Sequence, residues 1–112
     1  MSPTVDIVLF EIGGVRYGAD ASQVVRIALS VHEPSVGAPL GQPKLGRRAL
    51  VFRGRSGELF RLDIDRVAGV KTVSIESLRR LPLAARVGHI PIGTWLDGER
   101  AVLLVDLAQM AA

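Results

Sequence analysis

The residues able to do chemistry in this sequence are few, and their spacing argues against catalysis. Asp63 and Asp65 stand two positions apart, and Asp20, Asp63 and Asp106 recur at intervals of 43 residues. Paired carboxylates serve as general acid and base only inside a pocket that separates their pKa values. Nothing else in the sequence points to such a pocket. Short acids that follow strands more commonly bond the backbone N–H groups of the next turn. Three repeated acids on three separate copies of a unit are not expected to meet at one centre. His32 and His89 read as loop histidines, and neither has an Asp, Glu or His at the spacing of a metal site or a catalytic triad. There is no cysteine, so disulfides, thiolate nucleophiles and cysteine-bound metals are excluded. Gly13-Gly14 lies between two apolar runs rather than ahead of a helix, so it is a hairpin and not a phosphate loop. The expectation is a protein that is not an enzyme, with no cofactor and no metal.

Binding is the remaining class. The net charge is +3, and all but two of the basic residues, Lys44 and Lys71, are arginine. Arg47, Arg48, Arg53, Arg55, Arg61 and Arg66 fall in one region, which raises single-stranded nucleic acid as an alternative partner. That function also needs exposed aromatic platforms. The five aromatic residues occupy strand positions that read as core. Acidic residues are interleaved among the basic ones, which suits an arginine-rich composition better than a phosphate-binding face.

Three stretches have strand character. The first runs from Val5 to Val15 and from Tyr17 to Ala28, breaking at Gly13-Gly14. The second runs from Ala49 to Phe52, turns at Ser56-Gly57 and continues from Leu59 to Val73. The third runs from Ile92 to Leu96, turns at Asp97-Gly98 and continues from Ala101 to Leu107. Glycine turns between alternating apolar runs are hairpin signals. The stretches are copies of one unit. Tyr17, Phe60 and Leu103 correspond, as do Ala19, Leu62 and Val105, and Val24, Val67 and Met110. Phe52 and Trp95 share the spacing, and Phe10 joins them after a one-residue gap. A strand pair repeated at this period argues an all-β barrel or sandwich. Between units one and two, His32 to Arg48 holds three prolines and three glycines, and reads as an extended, mobile loop. Between units two and three, Ser74 is placed to cap one helical turn that Pro82 ends.

The 112 residues suit one domain or two small lobes sharing a core. No run is long enough to span a bilayer as a helix, and no basic head precedes an apolar block at the N-terminus. A cytoplasmic protein without membrane insertion is expected.

The aligned units resemble the CheW-like family, the adaptor domains of bacterial chemosensory arrays. Leu9-Phe10-Glu11-Ile12-Gly13-Gly14-Val15-Arg16-Tyr17-Gly18-Ala19-Asp20, with Val24-Val25-Arg26-Ile27 after it, resembles the family's opening hairpin. Ala49 to Phe52 through Leu62 to Val70 resembles the hairpin that opens its second lobe, and Gly93 to Leu107 its last hairpin. The resemblance implies two SH3-like β-barrel lobes, with the first truncated. Residues 1–30 would form the first-lobe hairpin, 31–48 a loop replacing a family hairpin, and 49–112 the second lobe. It also implies a non-enzymatic adaptor that binds a methyl-accepting chemoreceptor in a groove between the lobes. Val24, Arg26 and Ile27 would form one wall, and Ala49, Val67 and Val70 the other. The replaced hairpin falls on the lobe that carries much of the kinase contact, so coupling to the regulatory domain of the histidine kinase is expected to be weakened or absent. Arg26 also stands where the family tends to have Glu. A lobe lacking a hairpin exposes strand edges. Either unit one completes the second lobe, or two copies form a homodimer that exchanges strands. Shortness and arginine-rich composition further resemble the short adaptors of motility systems.

Overall fold

The computed structural model of the chain describes residues 3–29, 32–46, 48–80 and 91–111. Among the described residues nine strands make two sheets. β1 (Thr4–Ile12), β2 (Val15–Asp20), β6 (Arg66–Ser74), β7 (Arg79–Arg80), β8 (Pro91–Asp97) and β9 (Arg100–Val105) form the larger, in the order β6-β1-β2-β9-β8-β7. β3 (Val24–Ala28), β4 (Arg48–Arg53) and β5 (Leu59–Ile64) form the smaller, in chain order.

All three expected hairpins are present. Ile12 pairs with Val15 across Gly13 and Gly14, whose φ values of 60° and 86° meet the positive-φ demand of a type I′ turn at both central positions. The third hairpin closes one residue later than the sequence suggests. Asp97 pairs with Arg100, so Gly98 and Glu99 make the loop, and Gly98 supplies the positive φ of 64°.

The two long continuations are not single strands. The run from Tyr17 to Ala28 breaks after Asp20 into a 3₁₀ turn, Ala21–Gln23. The run from Leu59 to Val73 bends at Asp65. In each case a carboxylate collects backbone N–H groups: Asp20 accepts from Ser22 N at 2.9 Å, and Asp65 accepts from Gly13 N at 2.7 Å. Each break carries the chain into the other sheet. β3 leaves unit one and pairs with β4 of unit two, while β6 leaves unit two and pairs with β1 of unit one. Residues on both sides of the segment 32–46 therefore build both sheets, and within one chain β3 of unit one adds to the sheet of unit two.

Units one and three lie side by side. β2 and β9 are parallel neighbours, and the repeat-equivalent residues face each other as Tyr17 with Leu103 and Ala19 with Val105. β1 is buried on both faces: Val8, Phe10 and Ile12 enter a core shared with Leu50, Phe52, Leu62 and Ile64 of the small sheet. Ile7 and Leu9 enter a second cluster with Val73, Val102 and Leu104. This corrects the expected alternation: Ile7 to Phe10 are apolar in succession because both faces of β1 are covered.

The segment 32–46 contains no strand, but it is docked, which corrects the expectation of a mobile loop. Val36 N donates to Arg61 O at 3.1 Å and Arg61 N to Pro34 O at 2.9 Å, covering the outer edge of β5. Val36 and Leu40 pack on the main core, and the Tyr17 hydroxyl donates to Leu40 O at 3.3 Å. Leu45 N and Gly46 N donate to the Asp65 carboxylate at 2.5 and 3.3 Å. The predicted turn after unit two is present as the 3₁₀ turn Ile75–Ser77, with Ser74 Oγ accepting from Glu76 N. Pro82 lies outside the described residues.

Candidate partner-binding site

The repeated aspartates do not form a catalytic centre. Asp20 and Asp106 line one cavity of about 280 Å³, against the expectation that the repeated acids stay apart. Both are engaged in capping. Asp106 accepts from Ala108 N at 3.1 Å, Gln23 Nε2 at 2.8 Å and Gln109 Nε2 at 3.2 Å, and Asp20 holds Ser22 N. The third copy, Asp63, instead faces Arg61 at 3.4 Å, and the turn role passes to Asp65. Asp63 and Asp65 therefore serve different partners. The Leu45 amide, helped by those of Gly13, Lys44 and Gly46, holds the Asp65 carboxyl at about 2, below its ordinary 3.8.

Glu11 anchors a second charged group, at the end of β1. Arg66 Nη2 lies 2.6 Å from its carboxylate, Arg16 Nη2 3.3 Å and Arg100 Nη2 3.7 Å. The hydrogen bond from Arg66 leads in pulling the Glu11 pKa below its ordinary value. Asp97 pairs in turn with Lys71 at 2.8 Å and Arg16 at 3.5 Å. These pairs tie β6, β1, β2, β9 and β8 together.

Among the described residues, no three His, Cys, Asp or Glu side chains gather to hold a metal. His32 donates its backbone N–H to Glu33, and His89 lies outside the described residues. The aromatic platforms that single-strand binding needs are absent from the described surface. Phe10, Tyr17 and Phe52 are buried, Phe60 packs on the same core against Phe52, and Trp95 packs on the second cluster. Of the clustered arginines, Arg66 is committed to Glu11 and Arg53 to Gly57 O, while Arg47 lies outside the described residues.

The residues expected to bind a partner differ in depth. Val24 on β3 and Val67 on β6 are both partly buried, and both pack against the main core, one from each sheet. Arg26, Ile27 and Val70 are exposed, with Val70 at 58%. Ala49 pairs with Ala28 and is only 3% exposed, so it lies beneath the surface. Three neighbours were not legible as site residues in the sequence. Val25 and Leu29 are exposed beside Ile27, at 48% and 72%. Glu33 reaches back from the docked loop and places Oε1 2.6 Å from Arg26 Nη2. The clue to Glu33 was Arg26 itself, since an arginine set among apolar residues calls for an acid nearby.

The fold is all-β, its acids Asp20 and Asp106 cap turns, and β3 carries exposed apolar residues. Comparison with known proteins gives its family. No family model matches the chain. The Frizzy aggregation protein FrzB of Myxococcus xanthus is 42% identical over 106 residues, spanning 95% of this chain and 94% of that protein. The crystal structure of the scaffolding protein TtCheW from Thermoanaerobacter tengcongensis superposes with a TM-score of 0.77 at 16% identity, covering 98% of this chain and 92% of that one. The chain belongs to the CheW-like family of chemotaxis scaffold and adaptor proteins, whose members are not enzymes, and FrzB places a motility protein among its relatives.

Proposed function

We propose that this protein is a cytoplasmic adaptor that binds the cytoplasmic region of a methyl-accepting chemoreceptor across β3 and β6. One observation carries the reading: Val24 and Val67 reach the same core from opposite sheets, while Arg26 and Ile27 on β3 and Val70 on β6 are exposed. A receptor tip is a helical hairpin, and small apolar residues flanked by charge suit an amphipathic helix. Ala49 supports this surface from below without touching the partner. Coupling to the kinase is weakened or absent on this reading, which rests on the resemblance by which residues 31–48 replace a family hairpin. No helix among the described residues is long and apolar enough to cross a membrane, which agrees with a receptor contact made from the aqueous side.

The test is a pull-down with purified receptor cytoplasmic fragments and Val67→Asp, a partly buried position, with the variant's fold checked by circular dichroism. Lost capture by a folded variant is expected. Undiminished capture would remove Val67 from the site. Binding of the kinase regulatory domain as tight as that of a full-length CheW-like protein would refute the weakened coupling.

A further inference from the structure

The docked loop does more than stand where a hairpin is missing. Arg26, Val51 and Arg61 face one another across β3, β4 and β5 in a single row of the small sheet. Residues 33–36 span that row. Glu33 pairs with Arg26 on β3, and Ser35 bridges to Arg61 on β5. Between them Val51 is fully buried, although its face of the sheet is opposite that of Leu50 and Phe52, which enter the main core. The loop thus runs beside the exposed residues of β3.

We propose that Glu33 is a specificity-determining residue of the partner surface, acting with Arg26 as one neutral unit. This rests on the receptor-binding reading above. Glu33 is the more buried member, with 17% of its side chain exposed against 44% for Arg26, and His32 N holds its second oxygen at 3.1 Å. The carboxylate is therefore fixed, and the guanidinium rests on it. The surface offers a partner apolar side chains beside a compensated charge. It favours a helix that is apolar and uncharged there, and penalises one with an acid or a base. Removing either charge uncovers the other: Glu33→Gln leaves a free cation at the rim, and Arg26→Gln leaves a fixed anion.

The experiment measures affinity of a purified chemoreceptor cytoplasmic hairpin fragment for the whole chain at two salt concentrations. The variants are Arg26→Glu, Glu33→Arg, the double swap Arg26→Glu with Glu33→Arg, and Val67→Asp. An exposed ion pair adds little to folding, so the three charge variants should remain folded by circular dichroism, and Val67→Asp, at a partly buried position, is checked by the same spectrum. Each single charge reversal is expected to weaken binding about tenfold, and the swap to recover most of it, because coupling belongs to the pair. Wild-type binding should change little with salt. A swap that binds as poorly as Arg26→Glu alone, with Glu33→Arg unchanged from wild type, would overturn the proposal, since the partner would then be reading the guanidinium itself. Wild-type affinity for every variant, Val67→Asp included, would instead overturn the groove reading. Loss confined to Val67→Asp would keep the groove and refute the role of Glu33.

Discussion

Replacing Gly18 by alanine tests the seam where units one and three meet. Gly18 sits in β2 opposite Leu104 of β9, and its backbone is ordinary, so alanine carries no conformational penalty. In an open strand the change would stabilise by about 0.5–1 kcal/mol through the unfolded chain's lost freedom. Here the new Cβ would stand 2.7 Å from Ile7 Cγ2, 3.1 Å from Val102 Cγ1 and 3.2 Å from Leu104 Cδ2. Two of these atoms belong to β-branched side chains with little rotamer freedom, so they cannot swing away. Overpacking of this kind costs about 1–3 kcal/mol. At the middle of these ranges it outweighs the backbone gain, leaving a net loss of about 1 kcal/mol, or roughly 4 °C in Tm for a chain of this size. The assay is thermal unfolding followed by circular dichroism, run as a double-mutant cycle with Ile7→Leu. Leucine has no methyl on its β-carbon, so it removes the nearest clash. In that background Gly18→Ala should cost much less, with the difference appearing as coupling between the two positions. A higher Tm for Gly18→Ala alone, or the same loss in both backgrounds, would refute the packing argument.

Two further predictions concern ionisable groups. Asp65→Asn should speed amide exchange at Gly13, Leu45 and Gly46, because a neutral amide is a weaker acceptor for their N–H groups; unchanged protection would show that the loop is held elsewhere. With its pKa depressed to about 2, Asp65 supports the docked loop fully above about pH 3.8 and loses hold as pH falls through about 2, which amide exchange in acid would follow. Tyr17, the sole tyrosine, is pushed above its ordinary value of 10 by burial, so its ultraviolet titration should have a midpoint above 10 while the fold persists; a midpoint at or below 10 would contradict its burial.

Local patterns made much of this architecture legible in the sequence. Alternation and glycine turns located three hairpins, because Gly13, Gly14, Gly57 and Gly98 supply the positive φ their turns require. The period linking Tyr17, Phe60 and Leu103 identified the copies, and the pairing of Tyr17 with Leu103 follows from two copies stacking side by side. The capping roles of Asp20 and Asp106 were equally readable, since a carboxylate and the amide two residues on make a local contact.

The tertiary structure decided whatever depended on contacts distant in sequence. The bend at Asp65 was hidden within an apolar run, and with the turn after Asp20 it exchanges β3 and β6 between the hairpins and so determines which sheet each enters. The Pro/Gly segment looked loose because its composition opposes strands. It is docked because its amides find Asp65 and Arg61, both far along the chain. Of the expected binding residues, the sequence could supply apolar and charged types but not their depth. Ala49 lies beneath the sheet surface while Val25 and Leu29 are exposed, and burial depends on which strand lies alongside. Sequence alone determined three strand pairs and the absence of catalytic spacing. Tertiary contacts determined where Glu33 comes to rest against Arg26, because an ion pair between two elements exists only once both are in place.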